Sequence, residues 1–281
     1  MISLQYEAPD ARLSSLVSSF YRFDYEGNSL SEPERADRAQ FRIMLKGVGN
    51  YRFPSGDVET TYPVTIIGPT TGAVVAFANE PLSVFGWGMT PAGWAALMGS
   101  ASGDWVDKTL DGQLIFGDWI MGVRDALLAS SSLEEQFLIG KAAASEIYRR
   151  AARAPFEFTA LVDKWLLEDS DPDVAQLAQD TGLSPRQLER MTKRYYGMPP
   201  KKLARKYRAV RAAHKLARGD SLDDTELGLA FYDQSHLIRE IKQFTGLTPT
   251  QLKAGSSELT TATIKGRGAL GDQVSRLISE S

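Results

Sequence analysis

Two stretches in the C-terminal third repeat each other at an offset of 49 residues: SPRQLERMTKRYYGMPPKKL, residues 184–203, and DQSHLIREIKQFTGLTPTQL, residues 233–252. Each begins with a good helix N-cap, Ser184 or Asp233, and contains a helix-ending glycine, Gly197 or Gly246. The identical pairs are Leu188 and Leu237, Arg190 and Arg239, Lys193 and Lys242, Gly197 and Gly246, Pro200 and Pro249, and Leu203 and Leu252. The repeat predicts one helical unit used twice. Its basic outer face is typical of a helix that enters the DNA major groove, although two helical hairpins could also be pure scaffold.

The charge of the chain is distributed unevenly. Residues 183–218 contain 12 Lys and Arg residues and one acidic residue, Glu189, although the whole chain has a net charge of −3. Charge of one sign repels itself, so such a stretch favours a polyanionic partner, and double-stranded DNA fits.

Composition excludes several classes of site. The 281 residues allow two domains, and they include no cysteine and only two histidines, His214 and His236. A disulfide scaffold, thiolate metal sites, Cys nucleophiles and a multi-His metal centre are therefore excluded. With no carboxylate dyad, Ser-His-Asp set or phosphate loop evident, we expect no cofactor, no metal and no enzymatic activity. No apolar run approaches the roughly 18 residues of a membrane span, and no signal peptide is evident, so we expect a soluble cytoplasmic protein without a membrane partner.

The order of sequence patterns predicts an α+β chain. Short apolar runs between turn signals indicate a β-rich domain over residues 1–150, with later helices over 118–129 and 132–150. The spacing of Leu13, Leu16, Val17 and Phe20 predicts an N-terminal helix before the strands, and residues 27–39 are predicted as a loop. A linker over 151–158, an all-helical domain over 159–255 and a flexible Ser/Thr/Gly-rich tail over 256–281 follow.

The repeated motifs resemble the DNA-binding domain of AraC/XylS-type transcription regulators. GLSPRQLERM and GMPP, residues 182–191 and 197–200, are similar to the first helix-turn-helix of that family, and FYDQSHLIR, Lys242 and GLTP to the second. FGWGMTPAGW, residues 85–94, is more loosely similar to a sensor-like domain fused to such regulators. The resemblance implies a cupin-like or related N-terminal domain for sensing or dimerisation. It also implies two helix-turn-helix subdomains bridged by a long helix over residues 201–218, with the two recognition helices in adjacent major-groove segments. Double-stranded DNA, a small effector, RNA polymerase and a second copy of the chain are the implied partners.

The chain departs from the family pattern mainly in the second unit. The departures are Thr225-Glu226 in place of an apolar-Ala pair, Ala230 in place of glycine, and Thr192 and Ile241 in place of phenylalanines. Glu226 is costly to bury, so its helix must rotate, shift register through Leu227 and Leu229, or pack loosely. We therefore expect the second unit to contact phosphates more than bases.

The resemblance implies a set of base-reading residues, at positions of each recognition helix that align with base-contacting positions of the family. They are Arg186, Glu189, Arg190, Gln234, Ser235, His236 and Arg239. Arginine pairs bidentately with guanine, and glutamate can accept from cytosine. Three alternatives stay open: Glu189 forms an ion pair with Lys193, Arg190 forms a surface ion pair, and His236 is a capping partner of Asp233.

Two further groups of residues are candidates for binding. Phosphate-positioning residues are predicted at Ser184, Lys193, Arg194, Lys201, Lys202 and Lys242, with Arg205 and Lys206 as further phosphate-positioning or solvated residues. An effector pocket is predicted around Trp87, Trp94, Arg42 and Arg52, where ordinary core aromatics and edge-exposed arginines are the alternative. His214 is interpreted as structural.

The leading hypothesis is a sequence-specific transcription regulator. The rival is a protein-interaction or anti-regulator module whose second helix-turn-helix no longer reads DNA, and an enzymatic N-terminal domain is a distant third. Without cysteine, the thiol-based alkyl transfer that can accompany AraC-type units is unavailable.

Overall fold

A computed structural model describes residues 1–149, 153–222 and 225–280 of the chain. It confirms the α+β class, because the described strands lie before residue 112 and, apart from one helix, Pro91–Met98, the α-helices follow them. The strands are β1 (Ile2–Glu7), β2 (Val17–Tyr25), β3 (Leu30–Glu34), β4 (Gln40–Lys46), β5 (Asn50–Arg52), β6 (Val58–Thr60), β7 (Val64–Ile67), β8 (Val74–Ala78), β9 (Leu82–Met89) and β10 (Thr109–Asp111). The α-helices are α1 (Pro91–Met98), α2 (Gly112–Phe116), α3 (Asp118–Ala129), α4 (Leu133–Arg149), α5 (Phe156–Glu168), α6 (Val174–Thr181), α7 (Pro185–Tyr196), α8 (Pro200–Ala217), α9 (Glu226–Leu229), α10 (Gln234–Thr245), α11 (Pro249–Lys253), α12 (Glu258–Ala269) and α13 (Arg276–Ser279).

The N-terminal domain, residues 1–149, is built on two antiparallel sheets. One has the order β1-β2-β9-β4-β7-β10 and the other β3-β8-β5-β6. Phe41 lies opposite Trp87 in the register of β4 and β9, and their rings stack with centroids 4.0 Å apart. This aromatic pair lies in the main core of the domain, against which α3 and α4 also pack.

Helices α3 and α4 confirm the two helices predicted over 118–129 and 132–150, with residue 150 outside the described residues. Thr90, a good N-cap residue directly before Pro91, caps α1, because its hydroxyl accepts a hydrogen bond from Gly93 N. Local capping chemistry was sufficient to predict this helix start.

The predicted N-terminal helix is wrong. Val17 and Phe20 belong to β2, which pairs with β1 on one side and β9 on the other. A central strand is covered on both faces, so its buried positions need not alternate and can imitate helical spacing. The predicted loop over 27–39 likewise contains β3, which pairs with β8.

The all-helical C-terminal region begins at Phe156, which lies inside the predicted linker over 151–158. Residues 151–152 of that linker lie outside the described residues. The two recognition helices α7 and α10 each have 12 residues and end at glycines in the left-handed conformation. The bridging helix α8 between them spans 18 residues and is largely buried. The repeat in the sequence therefore corresponds to a repeated helical unit.

The N-terminal domain packs against the C-terminal ends of both recognition helices. A Cβ atom on Gly197 would lie 3.2 Å from Pro69, and one on Gly246 would lie 2.8 Å from Pro33. Ala36 N donates to the carbonyl oxygen of Phe244 at 2.6 Å. The repeated helix ends are thus the places where the two parts of the chain meet.

The predicted flexible tail over 256–281 is wrong for the described residues up to 280, because they form α12 and α13. Helix α12 packs against β1 and β3. Ser257 Oγ donates to Glu32 at 2.5 Å, and Ile2 N donates to Glu258 at 2.7 Å. These partners are more than 200 residues away in sequence, so local composition gave no sign of them.

Candidate nucleic-acid interface

Helix α7 presents a polar face to solvent and an apolar face to its neighbours. Ser184 and Gln187 form a reciprocal capping box at its start. Leu188, Thr192 and Tyr196 are buried, and Thr192 satisfies its hydroxyl on the Leu188 carbonyl at 3.0 Å. A threonine therefore fits where the family has phenylalanine.

The predicted base-reading residues of α7 are exposed together. Arg186, Glu189 and Arg190 are all exposed, and Ser184 and Lys193 flank them. Glu189 lies 2.6 Å from Lys193, as the ion-pair alternative expected. Both side chains are about half exposed, so a pair of this kind is weak and can exchange for a ligand contact.

Some of the predicted phosphate-positioning residues are exposed, whereas others have partners inside the protein. Lys201 and Lys242 are exposed and Lys202 is partly exposed. Arg194 instead donates to the Gly99 carbonyl at 2.9 Å, in the N-terminal domain. Lys206 is buried and donates to the Asp37 carbonyl at 2.9 Å, so it is neither solvated nor available to a phosphate.

Helix α10 repeats the arrangement of α7. The Asp233 carboxylate accepts from His236 N at 2.6 Å, which confirms the predicted cap. Gln234, Ser235 and Arg239 are exposed. Its inner side contributes Ile241 and Phe244 to the second hydrophobic core, so the isoleucine fills the position where the family has phenylalanine.

His236 is engaged within the protein. Its Nδ1 accepts from Tyr232 N at 3.3 Å, and its Nε2 lies 3.4 Å from Glu240. Both ring nitrogens face intramolecular partners, which favours a structural role for His236 over base contact.

Glu240 is a positioning residue that the sequence reasoning missed. It is 1% exposed, and its carboxylate binds Arg205 at 2.5 Å and Arg208 at 3.3 Å. Arg208 also binds Asp171 of the α5–α6 connection at 2.5 Å. The cluster therefore ties the second recognition helix to α8 and to the first unit. The available signal was the spacing of Glu240 from Leu237 and Phe244, which places it on the inward face of the helix.

The departure at Thr225-Glu226 is accommodated by a short helix in a shifted register. Thr225 caps α9, Glu226 stays exposed, and Leu227 is the buried residue. Leu229 is 76% exposed and Tyr232 is 92% exposed. The support behind α10 is therefore four residues long, where α6 supplies eight behind α7.

The two tryptophans predicted to line an effector pocket are packed into the core. Trp87 and Trp94 are fully buried core residues, and Arg52 is exposed with its guanidinium over the Phe77 ring. Arg42 lies elsewhere, on the wall of a cavity that is partly open to solvent.

This cavity, here called the junction cavity, lies between both parts of the chain. Its apolar wall includes Leu4, Phe23, Met44, Val210, Ala213 and Ile264. At its polar end Arg42 forms a bidentate pair with Glu34, at 3.0 and 2.7 Å, and donates to Tyr21 and Tyr51. Burial opposes the charge of Arg42, but Glu34 outweighs it and the pKa of Arg42 is raised. The positive charge of Arg42 is therefore already balanced by Glu34 inside the protein.

The described residues contain no helix long and apolar enough to cross a membrane. In the same part of the chain, no three His, Cys, Asp or Glu residues gather into a group suited to a metal ion.

Residues 177–255 match the family model of a helix-turn-helix domain. The bifunctional transcriptional activator/DNA repair enzyme Ada of Escherichia coli K12 is 34% identical over 95 residues, which are 34% of this chain and 27% of Ada. The regulatory protein ada of Salmonella typhimurium is 33% identical over 96 residues, again 27% of its length. The chain thus spans about a quarter of the curated relatives it matches.

Among solved structures, ToxT of Vibrio cholerae aligns over 84% of this chain and 97% of its own, with 11% identity and a TM-score of 0.48. A cupin superfamily protein of Desulfitobacterium hafniense aligns over 32% of this chain and 77% of its own, with 11% identity and a TM-score of 0.25.

Proposed function

We propose that this chain, whose residues 177–255 are a helix-turn-helix domain of the AraC type, is a sequence-specific DNA-binding transcription regulator. The observation that carries the proposal is the pair of capped recognition helices, α7 and α10, each with polar side chains exposed on one face. Lys201 and Lys242 add exposed positive charge for the DNA backbone.

Base specificity resides mainly in the first unit. Arg186 and Arg190 are exposed on a helix backed by the two-turn α6, whereas α10 is backed by the one-turn α9. A firmly held helix discriminates better between bases, because its preorganised side chains lose less conformational entropy on binding.

We propose that the N-terminal domain is the regulatory part of the chain and that the junction cavity is its effector site. The cavity has the mostly apolar wall of a small-molecule site, with polar groups at one end. Residues of both parts of the chain line the cavity. A ligand there therefore contacts both the N-terminal domain and the helical region that holds the recognition helices.

The test begins with selection of a preferred duplex from a random library by the full-length protein. The double variants Arg186→Ala/Arg190→Ala and Gln234→Ala/Arg239→Ala are then titrated against single-base variants of that duplex. We expect each lost guanine contact to cost about 1–3 kcal/mol and the first double variant to lose more discrimination. Lys164→Ala, an exposed change on α5, is the control and leaves binding unchanged.

The rival function is a protein-interaction module, which the short α9 and the exposed Leu229 and Tyr232 favour. Phosphate contacts release counterions, so DNA affinity falls steeply with salt, whereas an apolar protein interface lacks this dependence. No enriched duplex and no salt-dependent DNA binding by the full-length protein would reject the regulator in favour of the rival. Loss of discrimination in the second double variant alone would move specificity to α10.

A further inference from the structure

The C-terminal helix α12 forms one wall of the junction cavity, although it lies beyond the helix-turn-helix domain. Leu259, Thr263 and Ile264 contribute to the lining, and Arg267 lies there as well. A Cβ atom on Gly266 would lie 2.4 Å from the Tyr6 ring, so this helix packs tightly on β1. Its position is therefore fixed by the N-terminal domain.

Two nearly buried polar side chains of the cavity lining, Arg267 of α12 and His214 of α8, have unused hydrogen-bonding atoms. Arg267 and His214 are each 6% exposed and both line the cavity. Among the described residues, neither Arg267 Nε nor His214 Nδ1 has a hydrogen-bond partner. An unpaired buried donor is costly, so a ligand atom that accepts from it gains that free energy.

The charges around the cavity favour an acidic group at this end. Arg42 is satisfied by Glu34, but Arg267 shares the Asp37 carboxylate with Arg35, at 2.7 and 3.1 Å. Asp37 also accepts from Arg38 N. One carboxylate thus serves several donors, and a second anion completes the arrangement around Arg267. Burial, with Arg218 nearby, lowers the pKa of His214, so the imidazole is neutral and offers a hydrogen bond without charge.

We propose that the junction cavity binds an apolar small molecule carrying one acidic group, and that Arg267 of α12 receives this group. The proposal rests on the effector role proposed above for the cavity. It gives the segment after the helix-turn-helix domain a defined task, since α12 supplies both apolar wall and the ligand's charged partner.

The test uses two fluorescent probes that share an apolar body, anilinonaphthalenesulfonate and the neutral N-phenylnaphthylamine, with the full-length protein. We expect Arg267→Gln to weaken the sulfonate probe about ten-fold and the neutral probe less than about two-fold, because only the first loses a charged hydrogen bond. Arg267→Lys keeps the charge and retains most of the sulfonate affinity. Arg276→Gln, a matched change at an exposed arginine of α13, leaves both affinities unchanged.

A second variant places the probes in the cavity. Thr263→Trp fills space from α12 without altering charge, so it should weaken both probes. Equal weakening of both probes by Arg267→Gln, or no weakening of the sulfonate probe, would overturn the role of Arg267. Unchanged binding in Thr263→Trp would overturn the site. DNA binding of each variant is measured separately, without probe. A variant that binds DNA normally but has lost probe binding tests the cavity alone, so failure here is distinguishable from failure of the regulator.

Discussion

Single residues in this protein show how burial changes the value of an ion pair. Glu189 and Glu240 both lie on recognition helices, and each is close to a cation. The Glu189 pair is about half exposed, whereas Glu240 is buried among Arg205, Arg208 and His236. Glutamate therefore forms a surface ion pair in α7, whereas in α10 it forms a buried cluster that holds the domain together.

We predict that Glu240→Ala lowers the free energy of unfolding by about 1–3 kcal/mol, because it removes a buried, hydrogen-bonded carboxylate while Arg208 keeps Asp171 as its partner. Glu189→Ala, the matched control, should cost about 0.3–0.5 kcal/mol. Urea denaturation of the full-length protein measures both values. Similar losses for the two variants would show that the Glu240 cluster contributes no more than a surface pair.

Lys206 makes stability depend on pH. Burial, opposed by Asp37, lowers the pKa of Lys206 from 10.5 to about 8. Above pH 8 the folded protein therefore binds fewer protons at this site than the unfolded chain, and stability rises with pH. The window closes near pH 10, because burial raises the pKa of Tyr21 above 10.0 and ionisation in the unfolded chain then opposes folding.

We predict that the free energy of unfolding rises between pH 8 and pH 10 more steeply in the wild type than in Lys206→Met. The variant lacks the titrating amine but keeps a similar length and an apolar stem. Denaturation curves at several pH values give the two slopes. Parallel slopes would refute the assignment to Lys206.

At the scale of elements, helix ends were predictable and packing partners were not. Ser184, Asp233 and Thr90 act on the next few residues, so their caps could be predicted from sequence. The position of Val17 in a central strand and the fixed position of α12 depend on residues far away in the chain. Glu240 was missed for the same reason, since its arginine partners come from α8.

The short helix α9 has no room for added volume at Gly228. A Cβ atom on Gly228 would lie 2.0 Å from the Leu222 carbonyl oxygen, whereas one on Gly122 in α3 would meet nothing within 4 Å. We predict that Gly228→Ala costs about 1–3 kcal/mol of stability through this clash. Gly122→Ala should instead gain up to about 1 kcal/mol, because alanine favours an exposed helix. Thermal unfolding of both variants checks the opposite signs, and a stabilising Gly228→Ala would contradict the tight packing of α9.

At the scale of the whole molecule, the docking of the two parts was invisible in the sequence. Lys206 was predicted as phosphate-positioning or solvated and Arg194 as phosphate-positioning, yet Lys206 is buried and Arg194 contacts the N-terminal domain. Arg208 of the same basic stretch is buried as well. Charge patterning reports which residues are cationic, but tertiary packing decides which of them reach solvent.

The tightness of packing between the two parts of the chain can be measured by comparing the stability losses of alanine variants at two glycines of similar conformation. Gly182 and Gly246 both end helices at positive φ, 64° and 77°, so alanine strains each by about 1–2 kcal/mol. Only Gly246 faces the N-terminal domain, since a Cβ atom there would lie 2.8 Å from Pro33, whereas one on Gly182 would meet open space. We predict that Gly246→Ala costs at least about 1 kcal/mol more than Gly182→Ala. Equal losses in urea denaturation would show that the interface at Gly246 tolerates the added methyl group.

Helices α7 and α10 end at Gly197 and Gly246, and both glycines lie against the N-terminal domain. The distance and the twist between the two helices are therefore set by that domain as well as by α8. On the proposed DNA target, one inserted base pair rotates one half-site by about a tenth of a helical turn relative to the other. A rigidly spaced pair of helices cannot follow this rotation. The chain should therefore tolerate a changed base inside a half-site better than an added base pair between half-sites, so the spacing of the half-sites in its operator matters more than any single base.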